Sequence, residues 1–161
     1  MVQHETQYEP WSAPRAQALI QSHTEREGPL LPILHDLQAA FGYIPEPAVP
    51  MVADALNLTR AEVHGVVTFY HDFRREPPGR HVLKLCRAEA CQAAGGDALA
   101  AHAQARLATK IGSTSADGRV TVEPVYCLGL CACAPAGMLD GRVVGRLDEQ
   151  GLYALLTEAQ S

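Results

Sequence analysis

The sequence predicts an α+β protein, in which a small N-terminal helical bundle precedes an α/β domain with a four-stranded mixed sheet. Two observations support this division. Apolar residues recur at helical spacing in the first part of the chain, and short apolar runs typical of strands follow in the second. Pro77-Pro78-Gly79, which lies between the two patterns, is a strong break. We therefore expect a flexible tail at residues 1–11, a helical domain at residues 12–76 and an α/β domain at residues 80–161.

Composition and charge exclude several classes of protein. The chain has 161 residues, 47% of them hydrophobic and 19% charged, which is enough for a packed core. A net charge of −5 without Lys/Arg runs argues against nucleic-acid binding. No apolar run approaches the roughly 18–20 residues that cross a bilayer, and the first ten residues lack the features of a secretion signal. We expect a cytoplasmic protein without membrane insertion, whose thiols stay reduced.

The helical part contains four short periodic segments. The first begins near Ser12, the second ends near Gly42, and the third spans about residues 49–56. The fourth opens with a capping-box signature, Thr59-Arg-Ala-Glu62. Four apolar residues of this segment recur at helical spacing and predict a helix face in the core: Val63, Val66, Val67 and Tyr70. Phe69 and Phe73 fall off that face, which makes them candidates for contact with a partner subunit.

The second part changes to strand patterns. Residues 81–86 form a short apolar run that fits a buried strand, an alanine-rich helix is expected at about residues 97–111, and residues 119–125 form a second strand. Residues 137–147 predict a hairpin with a turn at Asp140-Gly141. Asp148 can cap a last helix. The order strand, helix, strand, strand, strand, helix is a thioredoxin-like arrangement.

All five cysteines lie in the second part. Cys86 and Cys91 form one pair, and Cys127, Cys131 and Cys133 lie within seven residues further on. A strand–helix–strand unit makes its two strands parallel, so both cysteine loops should open at one edge of the sheet. An odd number of clustered cysteines in a reducing compartment indicates metal or redox chemistry.

The spacing of the thiols leaves the metal open between iron and zinc. The C-x4-C and C-x3-C pairs differ from the plant-type ferredoxin pattern, and they lack the C-x2-C knuckles typical of structural zinc. A 2Fe–2S centre on Cys86, Cys91, Cys127 and Cys131 is the leading hypothesis. Gly129, inside the second loop, lets the backbone curl close to the metal.

These motifs together resemble a known family, the thioredoxin-like 2Fe–2S ferredoxins. The pattern Leu85-Cys86-x4-Cys91, then Cys127-Leu-Gly-x-Cys131-x-x-Ala-Pro135, is similar to the family's cysteine segments. Phe41-Gly-Tyr-Ile-Pro45 and Gly65-Val-Val-Thr-Phe-Tyr70 are similar to its N-terminal signatures. The resemblance covers roughly residues 15 to 160. Its members include small ferredoxin subunits of respiratory complex I, of NAD-reducing hydrogenases and of NAD-dependent, molybdenum-containing formate dehydrogenases.

The resemblance implies an electron-transfer subunit with one 2Fe–2S cluster on the four matched cysteines. It also implies partners, namely a flavin-bearing, NAD-binding subunit and other iron–sulfur subunits of the same complex. The short form with Cys-Arg-Ala-Glu-Ala-Cys and Cys-Leu-Gly-Leu-Cys-Ala-Cys most resembles the gamma subunit of the soluble formate dehydrogenase. The equivalent subunit of complex I or of a hydrogenase is the alternative. The chain has no nucleotide-binding motif of its own, so NAD or FMN binding by the isolated chain is not expected.

Two hypotheses of other classes stay open. A thiol–disulfide oxidoreductase on the same fold would need a C-x-x-C pair, which the chain lacks. A zinc-stabilised interaction module would be colourless and redox-inert. No Ser–His–Asp or Cys–His constellation is evident, so independent catalysis is not predicted. Cys133 is predicted to be a bystander to the cluster, and Arg87 either raises the cluster potential or is a solvated surface residue.

Overall fold

In a computed structural model, which describes residues 8–160, the chain forms two compact units that divide between Pro77 and Pro78. Residues 1–7 of the predicted tail lie outside the described residues. Within the rest of that tail, Glu9 N–H donates to the Ala40 carbonyl at 2.8 Å. The Trp11 ring packs edge-on against Phe41, with ring centroids 5.2 Å apart. These residues therefore contact the helical unit. The predicted domain boundaries remain a prediction.

The first unit consists of four helices, as the periodicity predicts. They are α1 (Ala13–Gln21), α2 (Leu30–Phe41), α3 (Ala48–Leu56) and α4 (Arg60–Phe69). Helix α2 ends at Gly42, whose φ of 83° is a left-handed conformation that glycine adopts without strain. Helix α4 begins with the predicted capping box, in which Thr59 and Glu62 each bond the other's backbone N–H. One apolar core joins the four helices, and its fully buried members include Ala16, Ile20, Ile33, Leu34, Leu37, Val52 and Val63.

Near the end of α4, two side chains differ in burial from what the helical pattern predicts. Tyr70 is exposed rather than in the core, and Phe73 is buried rather than available to a partner. The helix ends at Phe69, so helical spacing no longer governs the residues that follow. The Gln38 amide donates to the Asp72 carbonyl and accepts the Arg74 N–H, and the Phe73 ring packs at a tilt against His35. Phe69 itself is 73% exposed, as its position off the apolar face predicts.

The second unit is a mixed sheet with helices, which confirms the predicted α+β class. Its strands are β1 (His81–Cys86), β2 (Ser113–Thr114), β3 (Val120–Val125), β4 (Gly137–Leu139) and β5 (Arg142–Val144). Its helices are α5 (Glu89–Ala93), α6 (Gly96–Leu107) and α7 (Glu149–Gln160), and a 3-10 turn covers Cys131–Cys133. The sheet order is β2-β3-β1-β4-β5, and only β1 and β3 are parallel.

The prediction of four strands was wrong by one. Strand β2 has two residues, Ser113 and Thr114, in the segment expected to be a polar turn. It pairs antiparallel with β3 at Thr121 and Val122. Two polar residues carry no alternating pattern, so only the neighbouring strand reveals this element.

Helix α5 is also absent from the sequence prediction. Its five residues were expected to be loop before one longer alanine-rich helix. That longer helix, α6, begins at Gly96 and ends at Leu107, where Ala108 adopts a left-handed φ of 47°. The chain then leaves the helix four residues before the expected end at Ile111.

The hairpin and the last helix follow the sequence closely. Asp140 and Gly141, with φ values of 49° and 85°, form the turn between β4 and β5. Asp148 Oδ1 accepts the Gly151 N–H at 2.7 Å and caps α7. Helices α6 and α7 bury their apolar faces on the sheet in one core. Among residues 8–160, no helix is long and apolar enough to span a bilayer.

Candidate metal centre

The parallel pairing of β1 and β3 brings the cysteine loops to one edge of the sheet. Cys86 is the last residue of β1 and lies opposite Val125, the last residue of β3. Cys127 follows two residues later, with Cys131 at the start of the 3-10 turn, and Cys91 lies in α5. The carboxyl ends of parallel strands are the usual position of binding sites in such sheets.

The four thiols form two pairs that differ in exposure. Cys86 and Cys91 have 4% and 2% of their surface exposed, and we name them the buried pair. Cys127 and Cys131 are exposed, with their Sγ atoms 3.7 Å apart, and we name them the exposed pair. The thiols of the buried pair interact with each other. The charge of Cys131 raises the pKa of Cys91, and the charge of Cys86 raises the pKa of Cys131. The four sulfur atoms therefore share one neighbourhood.

Backbone N–H groups converge on these sulfur atoms. The N–H groups of Ala88, Cys127 and Leu128 interact with Cys86, and that of Ala136 interacts with Cys91. Gly129 N–H donates to Cys127 Sγ at 3.3 Å. Gly129 has a φ of 77°, and Cys127 itself has a φ of 103°, which is strained for a residue with a side chain. Such N–H donors stabilise negative charge on sulfur.

The pKa values of the thiols follow from this arrangement. Burial opposes ionisation of Cys86, but the N–H of Ala88, the Cys91 thiol and the other N–H groups outweigh it and lower its pKa. Burial, then the hydrogen bond with Cys86, raises the pKa of Cys91. The hydrogen bond with Cys127, then its charge, raises the pKa of Cys131. Because the pKa values of Cys91 and Cys131 are raised, a cation that binds these two thiols must displace protons from them.

The side chains that pack around the thiols, toward the interior of the unit, are apolar. Cys86, Cys91 and Ala136 form a small buried cluster, against which Val125, Leu128 and Leu130 are packed. An anionic group held here would be shielded from water on one side and reach solvent on the side of the exposed pair.

Two glycines permit close approach of the backbone to the cysteine segments. A Cβ at Gly96 would lie 2.7 Å from the Cys91 carbonyl oxygen, and a Cβ at Gly145 would lie 2.8 Å from Cys133 Cβ. Gly96 begins α6, so the start of this helix lies directly against the Cys91 segment. Sequence reasoning missed the close approach at Gly145, because that contact has no signal in the local pattern.

Cys133 lies apart from the two pairs in its contacts. It is half-buried, and its carbonyl accepts the Arg146 N–H at 2.6 Å. The next such bond runs from Leu147 N–H to the Pro135 carbonyl, at 2.9 Å. These bonds attach the end of the second cysteine loop to the chain beyond β5. The peptide between Ala134 and Pro135 is cis.

The donor set fits a two-iron cluster. A 2Fe–2S cluster requires two thiolates for each of two irons, which is an arrangement of pairs. The two cysteine pairs, the N–H groups around them and the apolar shell match that requirement.

Comparison with known proteins decides the family. Residues 16–160 match the family model of the thioredoxin-like [2Fe-2S] ferredoxins. The chain belongs to the thioredoxin-like [2Fe-2S] ferredoxin family. Membership implies one 2Fe–2S cluster as the cofactor of this ferredoxin.

The relatives of this ferredoxin are subunits of larger enzymes. It is 37% identical over 120 residues to a subunit of the NADH-quinone oxidoreductase of Pseudomonas aeruginosa, covering 74% of this chain and 72% of the relative. It is 34% identical over 139 residues to the NADP-reducing hydrogenase subunit HndA of Solidesulfovibrio fructosivorans, and the match covers 86% of this chain and 81% of the relative. A crystal structure of an NAD+-reducing [NiFe]-hydrogenase in the air-oxidized state matches 81% of this ferredoxin with a TM-score of 0.69 and 31% identity. The ferredoxin spans only 22% of that hydrogenase chain.

Proposed function

We propose that the chain is an electron-transfer subunit whose single 2Fe–2S cluster is held by Cys86, Cys91, Cys127 and Cys131. The observation that carries the proposal is the meeting of two cysteine pairs at the carboxyl ends of β1 and β3 in a member of this family. A bound 2Fe–2S cluster accepts or donates one electron at a time.

The residues around the thiols have three tasks in this function. The buried pair fixes one side of the site, because Cys86 is held in β1 and Cys91 in α5 against Gly96. The backbone N–H groups stabilise the negative charge of the ligands, and so they set the ease of reduction. The exposed pair forms the side that faces solvent. Electron exchange with a partner takes place from that side.

The parent enzyme is a multisubunit NAD- or NADP-linked oxidoreductase. The relatives support a subunit of an NADH-quinone oxidoreductase or of an NAD(P)-reducing hydrogenase better than the expected formate dehydrogenase. The assignment to a formate dehydrogenase rests only on the sequences of the two cysteine segments. It is therefore the second candidate for the parent enzyme. In either case the proposed partners are a flavin-bearing, NAD-binding subunit and further iron–sulfur subunits. The cytoplasmic location stays a prediction.

Replacement of single cysteines tests the ligand assignment. Alanine at Cys86, Cys91, Cys127 or Cys131 removes a ligand, and we expect each variant to lose the visible absorbance of the cluster and most of its iron. Cys133→Ala is the matched control, because it removes a thiol from the same loop and should keep both. An intact cluster spectrum in any of the four variants, or its loss in the control, would contradict the assignment.

A further inference from the structure

An open groove of about 540 Å³ lies beside the candidate metal centre in the second unit. Three of its lining residues are direct chain neighbours of the proposed ligands. Arg87 follows Cys86, Gln92 follows Cys91, and Tyr126 precedes Cys127. A molecule in this groove would therefore lie next to the cysteine loops.

The groove carries positive charge in a chain that is negative overall. Its lining includes Arg87 and Lys110 and no carboxylate, whereas the whole chain has a net charge of −5. Asp97 pairs with Arg87 at 3.0 Å, and the Arg87 side chain is about 29% exposed, so its charge is shared between Asp97 and the groove. Lys110 is exposed, and across the described part of the chain no carboxylate forms an ion pair with its ammonium group. Charge complementarity thus favours an occupant with carboxylates.

The groove also borders an open part of the sheet edge. Strand β2 covers β3 only at Thr121 and Val122, and along the described chain no strand lies beside the rest of that edge. Pro124, on this uncovered part, and Tyr126, one residue beyond the end of β3, line the groove, and Tyr126 is 65% exposed. Proline has no N–H, so it discourages the addition of a regular strand at this edge. An irregular segment held by side-chain charges suits the groove better than an added strand.

We propose that this groove is the docking site for a carboxylate-bearing segment of the protein with which the chain exchanges electrons. The proposal rests on the proposed electron-transfer function. Lys110 and Arg87 attract the carboxylates and orient the partner. Because the groove adjoins both cysteine loops, docking there brings the partner close to the cluster ligands, where electron transfer is fastest.

Zero-length cross-linking in the intact parent complex tests the contact directly. A carbodiimide joins an amine to a carboxylate that touches it, and the chain has only two lysines, Lys84 and Lys110. Lys84 is mostly buried and lies 3.7 Å from Glu123 of its own chain. We expect peptide mass spectrometry to find Lys110 joined to an Asp or Glu of another subunit. Lys110→Arg should remove the cross-link and leave assembly unchanged, because it keeps the charge.

Charge reversal measures what the groove contributes to binding. The probe is the purified flavin-bearing subunit of the same complex, titrated with the cluster-loaded full chain. We expect Lys110→Glu to weaken binding about tenfold at low salt and to reduce its dependence on salt. Arg142→Glu is the matched control, because Arg142 is exposed on β5, at the opposite edge of the same sheet. It should bind as the wild type does.

The outcomes separate this proposal from the proposed function. Unchanged binding of Lys110→Glu without any Lys110 cross-link to another subunit would overturn the docking site and leave the carrier function standing. Protection of Lys110 from acetylation by millimolar inorganic phosphate, again without that cross-link, would mean a small-anion site and would also overturn it. A wild-type chain that neither binds the flavin-bearing subunit nor exchanges electrons with it would refute the proposed function itself.

Discussion

Gly96→Ala should destabilise the second unit, although alanine normally favours a helix. The added Cβ would lie 2.7 Å from the Cys91 carbonyl oxygen and 3.0 Å from its carbonyl carbon. Both are backbone atoms, so no flexible side chain can move aside. Overpacking of this kind costs about 1–3 kcal/mol, whereas the gain in helix propensity is at most about 1 kcal/mol. We expect a net loss of up to about 2 kcal/mol, which at a urea m-value of about 2 kcal/mol/M lowers the midpoint by up to about 1 M.

The assay is urea unfolding of the cluster-loaded protein, followed by visible absorbance for the cluster and by circular dichroism for the helices. Gly65→Ala is the matched control, because a Cβ at Gly65 in α4 meets nothing within 4 Å. That change should stabilise the helical unit by about 0.5–1 kcal/mol. If Gly96→Ala is as stable as the wild type and keeps its cluster spectrum, the proposed close packing of α6 on the Cys91 segment is refuted.

Three further predictions concern individual contacts. Gly145→Ala should destabilise the second unit, because the added Cβ would clash with Cys133 Cβ. In a double-mutant cycle Cys133→Gly should relieve this by at least about 0.5 kcal/mol, whereas additive effects would contradict the contact. Thr59→Ala should lower the stability of the helical unit by about 1 kcal/mol in thermal unfolding. The backbone N–H of Thr59, which alanine keeps, and its hydroxyl, which alanine lacks, lower the pKa of Glu62. The part of the loss that comes from the bond between hydroxyl and carboxylate should be full above the ordinary Glu pKa and shrink as the pH falls through the lowered one. A loss independent of pH would contradict this. In metal-free protein, N-ethylmaleimide should label the exposed pair before the buried pair, and equal labelling rates by peptide mass spectrometry would count against that difference in exposure.

The sequence predicts those parts of the fold in which local pattern and tertiary structure agree. Residues 81–86 have the pattern of a strand, and β1 occupies the same residues because its apolar side chains enter the core. Thr59 and Glu62 predict a capping box, which depends only on residues three apart. Asp140-Gly141 predicts a turn, because the hairpin needs positive φ at both positions.

Other parts are decided by contacts that are distant in sequence. Strand β2 exists only because β3 offers it two pairing positions. Phe73 is buried because the side chain of Gln38, on α2, holds the backbone on either side of it. At the candidate metal centre, topology predicts that the cysteine loops meet. The N–H of Ala136 and the close approach at Gly145 come from segments that the cysteine spacing does not reveal.

The proposed function depends on one property, a single redox-active cluster on the two cysteine pairs. Anaerobic purification, followed by iron and sulfide analysis and by EPR after dithionite reduction, measures that property. We predict a red-brown protein with about two irons per chain and a spin-one-half signal that appears on reduction. A colourless protein that contains zinc after the same isolation would contradict the electron-carrier function and support a zinc-stabilised interaction module instead.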